Sequence, residues 1–274
     1  MVNAVDGGGV RRRLVEGGSV YPGDLIETGD ATRAVLAFRD DTRITLGLGT
    51  RFRIDNFAYD EQSAGEGRFL ASLLKGSVRA LTGLIAKANH RNVGFNTATA
   101  TIGIRGTGLD IVCTGICAGE PGQADLGLTV FTWLGAVAVT PSGHSVVQVL
   151  QAGQGVFISE NGIRPIAAPP PSDGPRPDSI DVPPKLFSRD HVSDSDEGLF
   201  VFVRDGHIEV ATAADSLHLG KGEAGFANHG GTTVRPQLIP KFLDFDPVSM
   251  PAAKSPMLIG LLAEAGIKPN NQCK

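Results

Sequence analysis

Residues 98–110 read Ala-Thr-Ala-Thr-Ile-Gly-Ile-Arg-Gly-Thr-Gly-Leu-Asp. An alternating apolar run is interrupted by three closely spaced glycines and then resumes as Ile111-Val112-Cys113. On a strand, Ile102 and Ile104 share one face, while Gly103, Gly106 and Gly108 permit bulges, tight bends or close backbone approach. The likeness to a phosphate loop fails on context. Such a loop opens a helix whose N-terminus meets the phosphate, and the residues after Gly108 read as strand.

Working outward, the same grammar recurs. Tyr21-Pro22-Gly23-Asp24-Leu25-Ile26-Glu27-Thr28-Gly29 precedes two short apolar runs, Ala34–Phe38 and Thr42–Gly47, followed by Arg51–Asp60 and Leu74–Arg79. Together with Ile102–Thr107, these elements resemble in order and content the FecR domain, the ferric-citrate-regulator type of bacterial periplasmic sensor domain. The resemblance runs over about residues 5–113. It implies a non-catalytic interaction or sensing module of the bacterial envelope, with Gly103, Arg105, Gly106, Thr107 and Asp110 as signature residues that are structural or binding. Two departures stand out. Asp40-Asp41-Thr42 replaces the family's usual Asp-Gly-Thr, which puts a left-handed position on an aspartate. Thr97-Ala98 replaces the usual Thr-Pro.

Composition agrees with many short strands. The chain has 274 residues, enough for a sizeable core, and its 36 glycines favour tight turns over long helices. A formal net charge of −4 argues against general attraction to nucleic acid or anionic membrane, and the run Arg11-Arg12-Arg13 reads as solvated. No apolar run approaches the roughly 20 residues of a membrane helix. The abrupt entry from Met1 into a strand suggests that an export signal or anchor has been removed from a longer product. FecR-type regulators of sigma factors carry a cytoplasmic segment, a membrane helix and a receptor-signalling domain. None is visible here, so a sigma-regulator role is not carried over.

Cys113 and Cys117 stand four apart at the end of the signature strand. A short-loop disulfide is expected, with free thiols or a metal as the alternatives. A disulfide would agree with the oxidising periplasm or exterior that the resemblance implies, while Cys273 is left over by this count. Past the signature, Gly127-Leu128-Thr129-Val130-Phe131 through Gly135 and Val139 overlays Gly198-Leu199-Phe200-Val201-Phe202 through Gly206 and Val210. Leu150, Gly153 and Phe157 then correspond to Leu219, Gly222 and Phe226, and the pattern reads as an internal repeat.

Between the copies lies the proline-dense stretch Ala167–Pro184, a linker or a strap over the surface. The expected organisation is a FecR-like β domain with extension over 1–166 and a Pro-rich and acidic linker over 167–197. A second small β unit follows over 198–248, and then a tail over 249–274 with one short helix. The expected fold is all-β, with short antiparallel strands wound as a twisted β-solenoid or compact β-sandwich.

Catalytic groupings are hard to assemble. The six histidines have no metal-ligand spacing, although His207, His218 and His229 fall on one predicted sheet. Asp24, Glu27, Asp55 and Asp60 sit beside turns, where carboxylates usually cap amides. The only tryptophan, Trp133, lies in an alternating run, either packed in a sheet or offered for aromatic contact. No enzyme, no cofactor and no metal is expected. The leading reading is contact with another envelope protein through sheet edges and loops, with oligomerisation through edges open to the same chemistry. The alternative is binding of a polysaccharide or other cell-surface polymer.

Overall fold

The computed structural model describes residues 1–123, 125–172, 174–193, 195–204, 207–220, 223–240 and 243. It is all-β and divides into two units, Met1–Ser188 and Arg189–Lys274. The tail helix, Cys273, Gly206 and Gly222 of the sequence reading lie outside the described residues.

The first unit contains β1 (Val2–Val5), β2 (Arg11–Leu14), β3 (Leu25–Thr28), β4 (Ala34–Ala37), β5 (Arg43–Leu46), β6 (Arg51–Ala58) and β7 (Arg68–Leu81). A single helical turn, α1 (Leu84–Ala88), precedes β8 (Val93–Asn96), β9 (Ala100–Cys113), β10 (Leu128–Pro141), β11 (Gln148–Gln151), β12 (Gln154–Ser159) and β13 (Gly162–Ile166). Five residues are too few to show helical periodicity, which is why α1 escaped the sequence reading. All thirteen strands join one sheet in the order β13-β12-β10-β9-β8-β7-β6-β3-β1-β2, with β4 and β5 attached through β7 and β11 through β10. Pairing is antiparallel except between β7 and β8.

Three of these strands are long rather than short. β7, β9 and β10 each span 14 residues, and each carries one left-handed glycine near its middle. These are Gly76 (φ 91°), Gly106 (φ 65°) and Gly135 (φ 69°). The bend lets one strand serve two neighbourhoods. The first half of β7 pairs with β6 and β8, and its second half with β5 and β9. At Gly76 a side chain is also excluded by space, since a Cβ would lie 2.4 Å from Thr50 Oγ1.

The core is one continuous cluster from Ala4 to Ile158. Its centre is a run of phenylalanines. Phe38 meets Phe69 edge-on at 4.9 Å between centroids, Phe69 meets Phe95 at 5.9 Å, and Phe95 meets Phe52 at 6.4 Å. The first two pairs are edge-to-face, a geometry that adds about 1 kcal/mol per pair to simple burial, and the third is tilted.

The second unit holds β14 (Arg189–Asp190), β15 (Gly198–Phe202), β16 (His207–Ala211), β17 (Ser216–Gly220), β18 (Ala224–Asn228) and β19 (Thr233–Pro236). Its sheet runs β14-β19-β18-β15, with β16 and β17 as a hairpin. Val203, Leu217 and Leu219 form its own buried cluster. In β10–β12, Thr129 pairs with Phe157 and Val137 with Leu150. Under the sequence overlay, the corresponding pairs are Phe200 with Phe226 and Ile208 with Leu219, and both occur.

The segment expected to be a linker from 167 to 197 is split by this division. Residues 174–180 run across the first sheet as a strap, and β14 pairs with β19. Side-chain donors of the sheet take up the strap's carbonyls, and composition alone does not show such long-range partners.

Candidate functional site

The signature strand β9 changes the parity of its buried face at Gly106. Before it, Ile102 and Ile104 enter the core, and after it Leu109 and Ile111 do so. One extra residue in a strand produces this switch, and the ladder to β10 slips there: Leu109 pairs with Thr132, Gly108 with Leu134 and Arg105 with Ala136. Gly135 makes the slip fit, since a Cβ on it would lie 2.1 Å from Gly106 O. The consequence is that Gly108 and Asp110 turn to the outer face of the sheet.

Thr107 ties the bend together. Buried at 1% exposure, its hydroxyl donates to Ala136 O at 2.6 Å and accepts from the Arg105 N–H at 3.2 Å. Thr82 answers from β7's end, where its hydroxyl accepts from Thr107 N–H at 2.9 Å and donates to Thr107 O at 3.1 Å. The side chain of Arg105 does not take part. It is exposed and makes no hydrogen bond or ion pair among the described residues; only the Arg105 backbone N–H joins the bend, through Thr107. Gly103 sits in the ladder between Gly94 and Ala138 with no left-handed backbone.

Asp110 is the hub of the outer face. It is 2% exposed and lies in a cross-strand row in which Thr45 pairs with Arg79, Arg79 with Asp110 and Asp110 with Phe131. Arg79 Nε donates to Asp110 Oδ1 at 2.9 Å, and the Trp133 indole N–H donates to the same oxygen at 3.2 Å. Burial pushes the Asp110 carboxyl up from its ordinary value of 3.8, while the Arg79 bond and charge and the Trp133 N–H work against that rise. Trp133 lies flat on Gly108, where a Cβ would sit 2.2 Å from the ring. The Arg176 guanidinium covers the indole from the strap side at 4.1 Å. Trp133 is therefore a half-buried layer between sheet and strap, and not an open platform for a sugar.

The carboxylates near turns have varied partners. Asp24 joins Arg12 and the Tyr21 N–H, so Arg12, expected to be solvated, is held in a half-buried ion pair. Glu27 pairs with Arg11 and Arg51, Asp55 with Arg53 and Ser72, and Asp60 caps the Gln62 N–H. Asp40 is fully buried and accepts from Thr42 N–H at 3.1 Å and Thr42 hydroxyl at 2.9 Å. Its neighbour Asp41 occupies the left-handed position at φ 65°.

Cys113 and Cys117 form a buried disulfide. His218 lies 3.8 Å from Glu209 and His229 lies 3.9 Å from Glu197, while His207 is on β16. Among the described residues no group of three or more His, Cys, Asp or Glu is placed to hold a metal ion. Nor is any described helix long and apolar enough to cross a membrane. An open groove of about 390 Å³ is lined by Arg51, Arg53, Ser72, Asn96 and Thr97, and both arginines are already paired with carboxylates.

Comparison with known proteins gives one family. Residues 24–128 match the family model described as FecR protein. Two crystal structures of a "putative anti-sigma factor" from Parabacteroides distasonis, at 1.65 and 2.50 Å, are each 16% identical to this chain with a TM-score of 0.40. Each alignment covers 53% of this chain and 60% of that one, and a likeness at that level carries no argument about fold or partner. No curated protein matches the chain.

Proposed function

We propose, from the match of residues 24–128 to the FecR family model, that the chain is a non-catalytic regulatory module of the bacterial envelope that captures another envelope protein at a sheet edge. The observation that carries the reading is the edge at β11. This strand pairs only with β10 among the described strands, and Val146, Val147 and Val149 on and before it are 68%, 51% and 47% exposed. Ser145–Gln151 is uncharged, lacks proline and is rich in β-branched residues. Such an edge offers unpaired backbone groups and an apolar row to an incoming strand. The buried Cys113–Cys117 disulfide supports an oxidising compartment. The equivalent pairings of β10–β12 and β15–β18 support reading the second unit as a repeat of the β10–β13 module.

A photo-crosslinking residue at position 147, in cells producing the protein, tests this. One discrete adduct with an envelope protein is expected, lost in Val149→Lys while the circular dichroism spectrum stays unchanged. Absence of a discrete adduct, or an adduct indifferent to Val149→Lys, would remove β11 as the docking edge.

A further inference from the structure

The outer face around Asp110 holds the backbone of the strap, which is extended at Arg176 and Ile180 and makes one 3-10 turn over Pro177–Ser179 between them. Three side chains of the sheet donate to carbonyls of the strap: Arg79 Nη1 to Gly174 O at 3.0 Å, Thr45 Oγ1 to Pro175 O at 3.1 Å, and Arg43 Nη1 to Ile180 O at 2.8 Å. Arg43 and Thr45 are two apart on β5 and so share a face, and Arg79 pairs with Thr45 on the next strand. These bonds read backbone and not side chains. Only two side-chain features of the strap are engaged. Arg176 stacks on Trp133, and Pro177 is buried.

Aromatic surface beside donors aimed at carbonyls is the chemistry by which proline-rich extended segments are recognised, because proline removes competing N–H groups and keeps the chain pre-extended. The donor set is itself held in place. Asp110 fixes the Arg79 fork from the other side, so the signature aspartate acts as a positioning residue for the seat.

We propose that this face is a receptor for a proline-containing peptide that bears an arginine and turns at its proline as the strap does at Pro177. Residues 174–180 are its resident occupant, and a partner's segment of the same chemistry displaces them. The proposal goes beyond capture at β11 and shares no residue with it, so either can fail alone.

Gly174 provides the lever. A Cβ there would lie 2.5 Å from Cγ2 of the buried Thr45, so Gly174→Val lifts the strap without altering the sheet. Trp133 is the only tryptophan and reports on its own cover. In the full-length Gly174→Val protein, a synthetic peptide of residues 169–183 is expected to shift Trp133 emission saturably. The wild-type protein should need at least about tenfold more peptide, because its tethered strap competes at high effective concentration. A peptide with glycine in place of Pro175 and Pro177 should bind about tenfold more weakly.

If Gly174→Val does not fold, a full-length variant with residues 174–180 replaced by seven glycines and serines takes its place. Two outcomes overturn the proposal: no saturable shift in a folded strap variant, or equal titration of variant and wild type. A concentration-dependent dimer of the wild type with exchanged straps would make a second copy the occupant and overturn the partner peptide.

Discussion

Within the family signature, residues that look equivalent in sequence do unequal work. Arg105 is exposed and unengaged, whereas Gly108 is covered by the Trp133 ring at a separation no Cβ tolerates. Arg105→Ala should therefore change stability by less than about 0.5 kcal/mol. Gly108→Ala should cost about 2 kcal/mol through overpacking, read from urea midpoints, and should alter Trp133 emission. Equal effects at the two positions would contradict this division. The sequence showed the glycines and Asp110 as a group, and it also held the signal that separates them. Ile102 and Ile104 are even-numbered and Leu109 and Ile111 odd-numbered, a parity change that only an extra residue between them can produce. Asp40 gives a second test at this scale. Burial raises its carboxyl above 3.8, so the native state binds that proton more tightly than the unfolded chain does. The resulting stabilisation is complete below the unfolded value and is lost as pH rises through the raised native one. Relative to Asp40→Asn, wild-type stability should fall as pH rises from below 3.8 through the raised native value. A flat or rising difference would show that the Thr42 hydrogen bonds outweigh burial.

At the scale of elements, the long strands turn on their central glycines, and the loop after β9 turns on a disulfide. Cys113 ends the signature strand and Cys117 lies in the following 3-10 turn, so the bond anchors the chain as it leaves the sheet. Closing so small a loop removes about 2 kcal/mol of unfolded-state entropy by the usual loop-length relation. The double variant Cys113→Ser and Cys117→Ser should lose about that much stability in denaturant. In protein from the envelope, alkylation without reductant should leave both cysteines unmodified by mass spectrometry, and labelling of both would remove the argument for export. Spacing made this pair legible because both partners are local. The strap was legible only as an extended proline segment. The side chains that donate to its carbonyls, Arg43, Thr45 and Arg79, stand 95 to 137 residues away, and no local pattern encodes that distance.

For the whole molecule, the decisive question is where the first unit ends. Proline density placed its boundary at residue 166, whereas the packing places it after Ser188. The two choices differ by the strap, which contributes three hydrogen bonds to the sheet and the Arg176–Trp133 stack. Each hydrogen bond is worth about 1 kcal/mol net and the stack about 1 kcal/mol, offset by the entropy of ordering the segment. All strand pairings of β1–β13 and the entire core from Ala4 to Ile158 close within residues 1–188. A fragment ending at Ser188 should fold by itself, with a single cooperative urea transition and a predominantly β circular dichroism spectrum. A fragment ending at Ile166 should keep the β spectrum, melt at lower urea by the equivalent of about 1 kcal/mol or more, and show red-shifted Trp133 emission. If the shorter fragment proved as stable as the longer one, with unchanged emission, the strap would be a passive linker and the boundary read from proline density would stand.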